Sequence, residues 1–143
     1  MLMTVGTELP SRLRLAITRS ARRLRQAADD GLSPSLTAAL ATIERHGPLT
    51  PSRLAELERI QRPTATRLVT KLDEDGLVLR TPDLDDRRVA HVEITKDGRA
   101  LLKRLRSRKN AYLAKRMRDL DHEELATLER ATEILERMLE GAE

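Results

Sequence analysis

The chain has 143 residues, of which 39% are hydrophobic, 35% are charged and only 1% are aromatic, and it contains no cysteine. This length fits one domain with its own core, and the scarcity of aromatic side chains favours packed helices over a β-sandwich. The lack of cysteine excludes disulfides, thiolate metal sites and thiol-based redox sensing. The sequence shows neither an apolar run near the ~20 residues that cross a bilayer nor an amino-terminal signal pattern, so we expect a cytoplasmic protein with no membrane partner.

The net charge of +4 is unevenly distributed along the chain. Residues 119–143 carry two basic and nine acidic side chains, a local charge of −7, which leaves +11 on the rest of the chain. A basic body with a separate acidic end indicates a polyanionic partner, and nucleic acid is the first candidate. Ordinary solvated helix faces would give the same counts, so charge alone leaves both readings open.

Four helices are predicted in the first half of the chain. An apolar stripe with the helical period predicts the first one over 8–28. Ser33–Pro34 and Thr50–Pro51 each combine an N-cap residue with a proline that suits the first helical turn, so they open the second and third helices. The second helix ends near His46, and the fourth covers about 62–75. The residues predicted to end the first helix are Asp29, Asp30 and Gly31.

The hydrophobic period then changes from that of a helix to that of a strand. Apolar residues at 77–79 lead into a charged turn over 82–88. After this turn Ala90, Val92 and Ile94 alternate with polar residues, which is the pattern of a half-buried strand. Two strands around the turn predict a β-hairpin, with a turn longer than two residues.

Two further helices complete the chain. Thr95 caps a long helix from Lys96 to about Arg118, and Asp121 opens the last helix with Glu124 as its capping-box partner. The predicted fold class is therefore mainly α with a small β-hairpin wing: a winged helix-turn-helix with terminal dimerisation helices.

The predicted helix over 62–75 has one face to bury and another to present. Its apolar positions, at helical spacing, are Ala65, Leu68, Val69 and Leu72. The other face is basic and rich in hydroxyl groups, whereas a helix meant only for solvent usually mixes charges of both signs. Such groups donate to phosphates and to base edges in the major groove, and the amino-terminal N–H groups of the helix favour a phosphate. The candidate DNA-binding residues of this recognition helix are Arg62, Pro63, Thr64, Thr66, Arg67, Thr70 and Lys71.

The turn of the hairpin supplies a second candidate contact, formed by Asp86, Arg87 and Arg88 with Asp83 nearby. In the structural interpretation, an Asp–Arg pair only makes the turn rigid. In the functional interpretation, a carboxylate holds one arginine while the other enters the minor groove, whose negative potential attracts it. The two interpretations are compatible, and the position of the turn directly after a basic helix favours a DNA contact.

The run from Leu54 to Gly98 resembles the MarR family, the multiple-antibiotic-resistance regulators. The matching elements are Leu54-Ala55, Thr64 to Val69, Leu72 with Gly76-Leu77-Val78, the D-x-x-D-R-R wing at Asp83, Asp86, Arg87 and Arg88, and Thr95-x-x-Gly98-Arg99. The wing followed by this helix start is a specific signal. The sequence departs from the pattern at Arg59, where many relatives have glycine, and at Glu58, which occupies a commonly apolar position.

This resemblance implies a transcriptional regulator, more often a repressor, that binds a pseudo-palindromic operator of double-stranded DNA as a two-fold homodimer. It implies a DNA-binding lobe over 34–95 and a helical dimerisation region over 8–28 and 96–140. It also implies a small-molecule effector bound between these parts. The apolar stripe of the last helix, Leu125 to Leu139, supports an interface, although terminal helices that pack on each other within one chain would also cover it.

Enzymatic function is not expected, because the sequence has no phosphate-binding loop, nucleophile elbow or acid–base constellation. His46, His91 and His122 lack the spacing of metal ligands, so we expect no metal and no cofactor. The alternative to a specific regulator is a non-enzymatic winged helix that serves as an architectural DNA-binding protein or a protein-binding adaptor.

Overall fold

A computed structural model of the chain describes residue 6 and residues 8–29 and 31–141. Its elements in chain order are α1 (Glu8–Ala27), α2 (Pro34–His46), α3 (Pro51–Glu58), α4 (Arg62–Glu74), β1 (Val78–Pro82), β2 (Ala90–Ile94), α5 (Lys96–Met117) and α6 (His122–Glu140). Over the described residues the fold is mainly helical, with a two-stranded antiparallel wing between α4 and α5, and the predicted fold class is confirmed. Asp30, predicted to help end the first helix, lies outside the described residues, as does most of the amino-terminal segment.

Side-chain caps begin several helices where the sequence predicts them. Ser33 Oγ accepts the backbone N–H three residues further on at 3.2 Å, and Thr50 Oγ1 does the same at 3.1 Å. Asp121 and Glu124 form both bonds of a capping box at the start of α6. These caps satisfy N–H groups that a helix leaves unpaired at its amino terminus, so local sequence determines where the elements begin.

The hydrophobic core joins α2, α3, α4, the hairpin and the first half of α5. Among the described residues every buried side chain is apolar or glycine, with no buried polar or charged group. The largest fully buried side chains are Leu40, Ile43, Leu54, Val69, Leu72, Val92 and Leu102. This core connects the helix-turn-helix to the wing, so the two share one apolar interior.

A residue from outside the hairpin also pairs with the second strand of the wing. In the hairpin Val78 pairs with Ile94 and Pro82 with Ala90. Outside it, Leu49 and Val92 exchange two backbone hydrogen bonds, of 2.7 and 3.0 Å. This bridge ties the segment between α2 and α3 to β2, and no pattern in the sequence predicts it.

The start of α5 is tied to the turn between α4 and β1. Thr95 Oγ1 accepts the N–H of Gly98 at 3.1 Å and donates to the carbonyl of Gly76 at 2.7 Å. A Cβ atom at position 98 would clash with the carbonyl oxygen of Leu77, so this close approach requires glycine. The Thr95-x-x-Gly98 motif therefore positions the wing as well as capping a helix.

The chain divides into two compact units, one up to Lys109 and one from Asn110 onward. α1 lies in the first unit and α6 in the second, and neither helix contains a buried residue. All residues of the hydrophobic core lie in the first unit.

Arg59 ends α3 in a left-handed conformation, with φ 54° and ψ 46°. It is the position where the family pattern often has glycine. A side chain in this region brings its Cβ close to the following carbonyl oxygen, which costs roughly 1–2 kcal/mol. The backbone N–H of Arg59 bonds to carbonyls of α3, so the turn between α3 and α4 keeps this geometry despite the arginine.

We expect Arg59→Gly to raise the free energy of unfolding by about 0.5–1 kcal/mol, because relief of the left-handed strain exceeds the greater chain entropy of unfolded glycine. Urea denaturation followed by circular dichroism measures this change. Arg59→Ala keeps the Cβ and is the matched control, expected near the wild-type value. If Arg59→Gly is no more stable than Arg59→Ala, the strain is absent.

Candidate nucleic-acid interface

α4 packs one face into the core and leaves the other free. Ala65, Val69 and Leu72 are buried, and the half-buried Leu68 packs against them. α4 contacts α2, α3 and β1, so the direction of its outward face is determined from several sides. The predicted apolar stripe is confirmed.

The outward face carries all seven residues predicted for the recognition helix. The exposed ones are Arg62, Pro63, Thr66, Arg67 and Lys71, and the half-buried ones are Thr64 and Thr70. Arg67 makes one long contact, 3.5 Å from its guanidinium to Thr64 Oγ1. Lys71 lies 3.4 Å from the carboxylate of Asp75, an exposed pair of the kind that contributes little energy. Both cations therefore remain available to an anionic ligand.

The amino terminus of α4 has no side-chain cap. Gln61 occupies the N-cap position without a capping hydrogen bond, and Pro63 lies within the first two helical positions. The first N–H groups of the helix are consequently not covered by a side chain, and they carry the partial positive charge of a helix start. Arg62 adds a full positive charge at the same place.

Asp83 organises the turn of the wing. Its Oδ2 accepts the backbone N–H groups of Asp85 and Asp86, at 3.0 and 2.9 Å, and its Oδ1 lies 2.9 Å from Nε2 of His91. The hydrogen bond from His91 lowers the pKa of the Asp83 carboxyl, and the two backbone N–H groups lower it further. One ionised carboxylate thus connects the turn to β2.

Asp86 holds Arg88 at the tip of the wing. Its Oδ1 accepts from Arg88 Nε at 3.0 Å and its Oδ2 from the terminal guanidinium nitrogen at 3.2 Å. These hydrogen bonds lower the pKa of the Asp86 carboxyl. The predicted Asp–Arg pair is thus present between these two residues. Arg87 is exposed and has no partner among the residues that the structure describes.

Arg80 joins the wing to α4, although it is not among the predicted site residues. From β1 its guanidinium reaches Thr70 Oγ1 at 3.0 Å and lies 3.7 Å from Asp73. The pairing of His91 with Asp83 was not predicted either. These contacts join residues that are 7–10 positions apart. The Arg80 contacts form only when β1 packs beside α4, and the His91–Asp83 contact forms only when the hairpin closes, so no short motif predicts either of them.

The described part of the chain contains neither a metal-binding cluster nor a membrane-spanning helix. Residues 8–29 and 31–141 contain no group of three or more His, Asp or Glu side chains placed to hold a metal ion. In the same ranges no helix is both long enough and apolar enough to span a membrane.

A short helix, a turn, a second helix with a cationic outward face and a two-stranded wing with arginines at its tip define a winged helix-turn-helix DNA-binding protein. The match to known proteins narrows this class. The MarR family profile matches residues 32–90. The chain is 34% identical over 128 residues to the HTH-type transcriptional regulator MT0903.1 of Mycobacterium tuberculosis, covering 89% of this chain and 90% of that protein.

A second relative is the HTH-type transcriptional repressor MdtR of Bacillus subtilis, 26% identical over 113 residues, covering 79% of this chain and 71% of that protein. The chain therefore belongs to the MarR family of DNA-binding transcriptional regulators, a non-enzymatic family. The resemblance read from the sequence is confirmed.

Solved structures share the fold. A Pseudomonas aeruginosa PA01 protein assigned to transcriptional regulation superposes with a TM-score of 0.85 at 32% identity, covering 93% of this chain and 94% of that chain. Streptococcus pneumoniae FabT, crystallised in complex with DNA, superposes with a TM-score of 0.65 at 23% identity, covering 94% of both chains.

Proposed function

We propose that the protein is a sequence-specific repressor that binds a pseudo-palindromic operator as a homodimer. A small-molecule effector releases this repressor from its operator. The observation that carries this proposal is the outward face of α4, which presents cations and hydroxyl groups and is joined through Arg80 to a wing whose tip carries Arg87 and Arg88. The DNA-binding lobe is 34–95, and the dimerisation region comprises 8–28 and 96–140.

The two parts of the lobe suit the two grooves of a duplex. A helix fits the major groove, where Arg67 and the threonines of α4 can reach base edges. The wing packs beside this helix through β1, and a guanidinium inserted in the minor groove gains from the negative potential of that groove. Arg88, aimed by Asp86, and the unpaired Arg87 are the candidates for this contact. Bound DNA in the FabT complex and the repressor function of MdtR support a repressor of this type.

If α4 and the wing contact DNA as proposed, substitutions in the two elements should have different effects on DNA binding. Arg67→Ala should weaken binding and relax the base preference at one position of each half-site by ~1–3 kcal/mol. The double variant Arg87→Ala/Arg88→Ala should weaken binding to every duplex and reduce the salt dependence by roughly one counterion per lost contact. Fluorescence anisotropy measures both, with an operator selected by the wild-type chain from random duplexes and a panel of its single-base variants.

Arg45→Ala is the matched control, because Arg45 is an exposed arginine of α2 and belongs to neither α4 nor the wing. Unchanged affinity and preference in Arg67→Ala would remove that residue from the interface. Equal affinity of the wild-type chain for all duplexes would indicate an architectural protein, and no binding at low salt would indicate a protein-binding adaptor.

Exposed apolar surface on the terminal helices supports the homodimer. Leu128, Met138 and Leu139 in α6 are 43–76% exposed, and Leu9 and Ile17 in α1 are 52% and 48% exposed. Apolar patches of this kind on a soluble protein commonly mark an interface. A second copy of the chain would cover such surfaces in a two-fold arrangement.

Charge complementarity adds to this argument. α1 carries six arginines against Glu8, a charge of +5, whereas α6 carries six glutamates against two arginines, a charge of −4 with histidine neutral. Helices of opposite charge on two identical chains attract each other twice in a symmetric dimer, and this arrangement orients the partners.

We expect Leu128→Glu to raise the dissociation constant of the dimer at least about 100-fold, because each dimer loses two buried apolar contacts and gains two interfacial charges. Sedimentation velocity gives the oligomeric state. Leu84→Glu is the matched control, since Leu84 is 98% exposed at the wing. A monomeric wild-type chain, or a Leu128→Glu variant that dimerises normally, would contradict the interface.

A groove of about 580 Å³ between α1, α2 and the first half of α5 supports the effector. Its wall is mainly apolar, with Leu24 and Leu32 among the lining residues, and its charged lining residues are Arg25, Lys109 and Asp29, a net charge of +1. This chemistry suits an apolar compound with an anionic group. A ligand regulates DNA binding only if it binds one conformational state more tightly than the other.

The apolar anion 1-anilinonaphthalene-8-sulfonate serves as a probe of this groove. We expect it to bind with increased fluorescence and to lower operator affinity about 5-fold or more. Ala38→Phe, which fills the groove, should abolish both effects, whereas Ala100→Phe, at an exposed alanine of α5, should preserve them. The effector site is wrong if Ala38→Phe binds the probe as the wild-type chain does, or if the bound probe leaves operator affinity unchanged.

A further inference from the structure

Arg80 lies between the wing and the outward face of α4. Its terminal guanidinium nitrogen donates to Thr70 Oγ1 at 3.0 Å, and its Nε lies 3.7 Å from the carboxylate of Asp73. Arg80 belongs to β1, whereas Thr70 and Asp73 belong to α4. One side chain of the wing therefore contacts two successive turns of the helix.

The bond from Arg80 determines what Thr70 can offer to a ligand. A hydroxyl group has one proton to donate and lone pairs to accept with. Because Thr70 Oγ1 already accepts from a guanidinium, its own proton is directed away from Arg80 and can be given to an acceptor. A guanidinium has no acceptor atom, so the roles in this pair cannot be exchanged.

The hydroxyl proton of Thr70 has no acceptor among the described residues. Thr37, Thr127 and Thr132 behave differently, since each donates to the carbonyl four residues earlier in its own helix, at 2.8–3.1 Å. That back-bond is the usual outlet for a threonine hydroxyl within a helix. Thr70 keeps its donor free on a half-buried position of the face that presents Arg67 and Lys71.

Asp73 distinguishes Arg80 from the free cations of the interface. Its carboxylate partly neutralises the guanidinium and limits its movement, whereas Arg87 has no partner among the described residues. A cation held in this way is better suited to orienting a neighbour than to attracting a phosphate.

We propose that Arg80 is a positioning residue that fixes Thr70 as a hydrogen-bond donor to an acceptor on a base edge, and that this pair sets the base preference at one position of each operator half-site. The inference rests on the proposed function, in which α4 enters the major groove. Acceptors that Thr70 could reach there are the N7 and O6 atoms of guanine, the N7 of adenine and the O4 of thymine.

The test measures base preference rather than affinity alone. Thr70→Val, Arg80→Met and the double variant are titrated against the selected operator and its single-base panel. We expect Thr70→Val and Arg80→Met to relax the preference at the same half-site position, each by about 3- to 10-fold. The double variant should lose no more base preference than Thr70→Val alone. Arg80→Lys should retain part of the preference that Arg80→Met loses. Arg45→Met, at an exposed arginine outside α4 and the wing, should leave the preference unchanged.

Three results would overturn the inference. The two residues would act independently if Thr70→Val and Arg80→Met relaxed the base preference at different operator positions, or if the double variant lost the sum of the two single losses of preference. A uniform loss for all duplexes with a smaller salt slope would make Arg80 a phosphate contact. A lower melting temperature with an unchanged preference would make the bridge purely structural.

Arg67→Ala separates this inference from the proposed function. In one outcome, the wild-type chain prefers its selected operator, and Arg67→Ala alters that preference while Thr70→Val and Arg80→Met leave it unchanged. This result would contradict the positioning role of Arg80 and support the proposed function as a sequence-specific regulator. If the wild-type chain shows no preference for any duplex, both fail.

Discussion

Burial of one face of α4 is the constraint on which the interface depends. Ala65, Val69 and Leu72 insert into a core that also holds α2, α3 and the hairpin. Protein interiors are packed as tightly as organic crystals, so a helix held on several sides has little freedom to rotate. The direction in which Arg67 and Lys71 point is therefore a consequence of apolar packing, and no polar contact is needed to set it.

The wing is positioned by the same core and stiffened by local polar bonds. The bridge between Leu49 and Val92 and the close approach of Gly98 to Leu77 fix its base. At its tip the carboxylates of Asp83 and Asp86 accept hydrogen bonds from the turn, in place of an apolar interior that five-residue strands cannot build. Because the described core contains no polar or charged side chain, the cations of the candidate interface lie at the surface, where salt screens their charges.

The elements, their caps and the faces of α4 could be predicted from the sequence because each follows from residues within a turn or two of one another. Ser33, Thr50 and Asp121 cap helices through the N–H three positions on, and the stripe of α4 follows the helical period. The contacts that escaped prediction join residues separated by a fold. Leu49 meets Val92 only once α2, α3 and the hairpin have packed, and Arg80 meets Thr70 only once β1 lies beside α4.

The arginines near the interface fall into two kinds, and the difference has a physical basis. Arg88 and Arg80 each lie beside a carboxylate, of Asp86 and Asp73, which restricts the side chain and cancels part of its charge. Arg87 has no such partner in the described part of the chain. A free guanidinium retains its full charge but loses rotamer entropy when DNA orders it. A guanidinium paired with a carboxylate has already lost that rotamer freedom, and it attracts a phosphate less strongly because its charge is partly cancelled. In the proposed complex the unpaired Arg87 is therefore suited to salt-dependent affinity, whereas Arg80, held beside Asp73, is suited to orienting Thr70 toward a base.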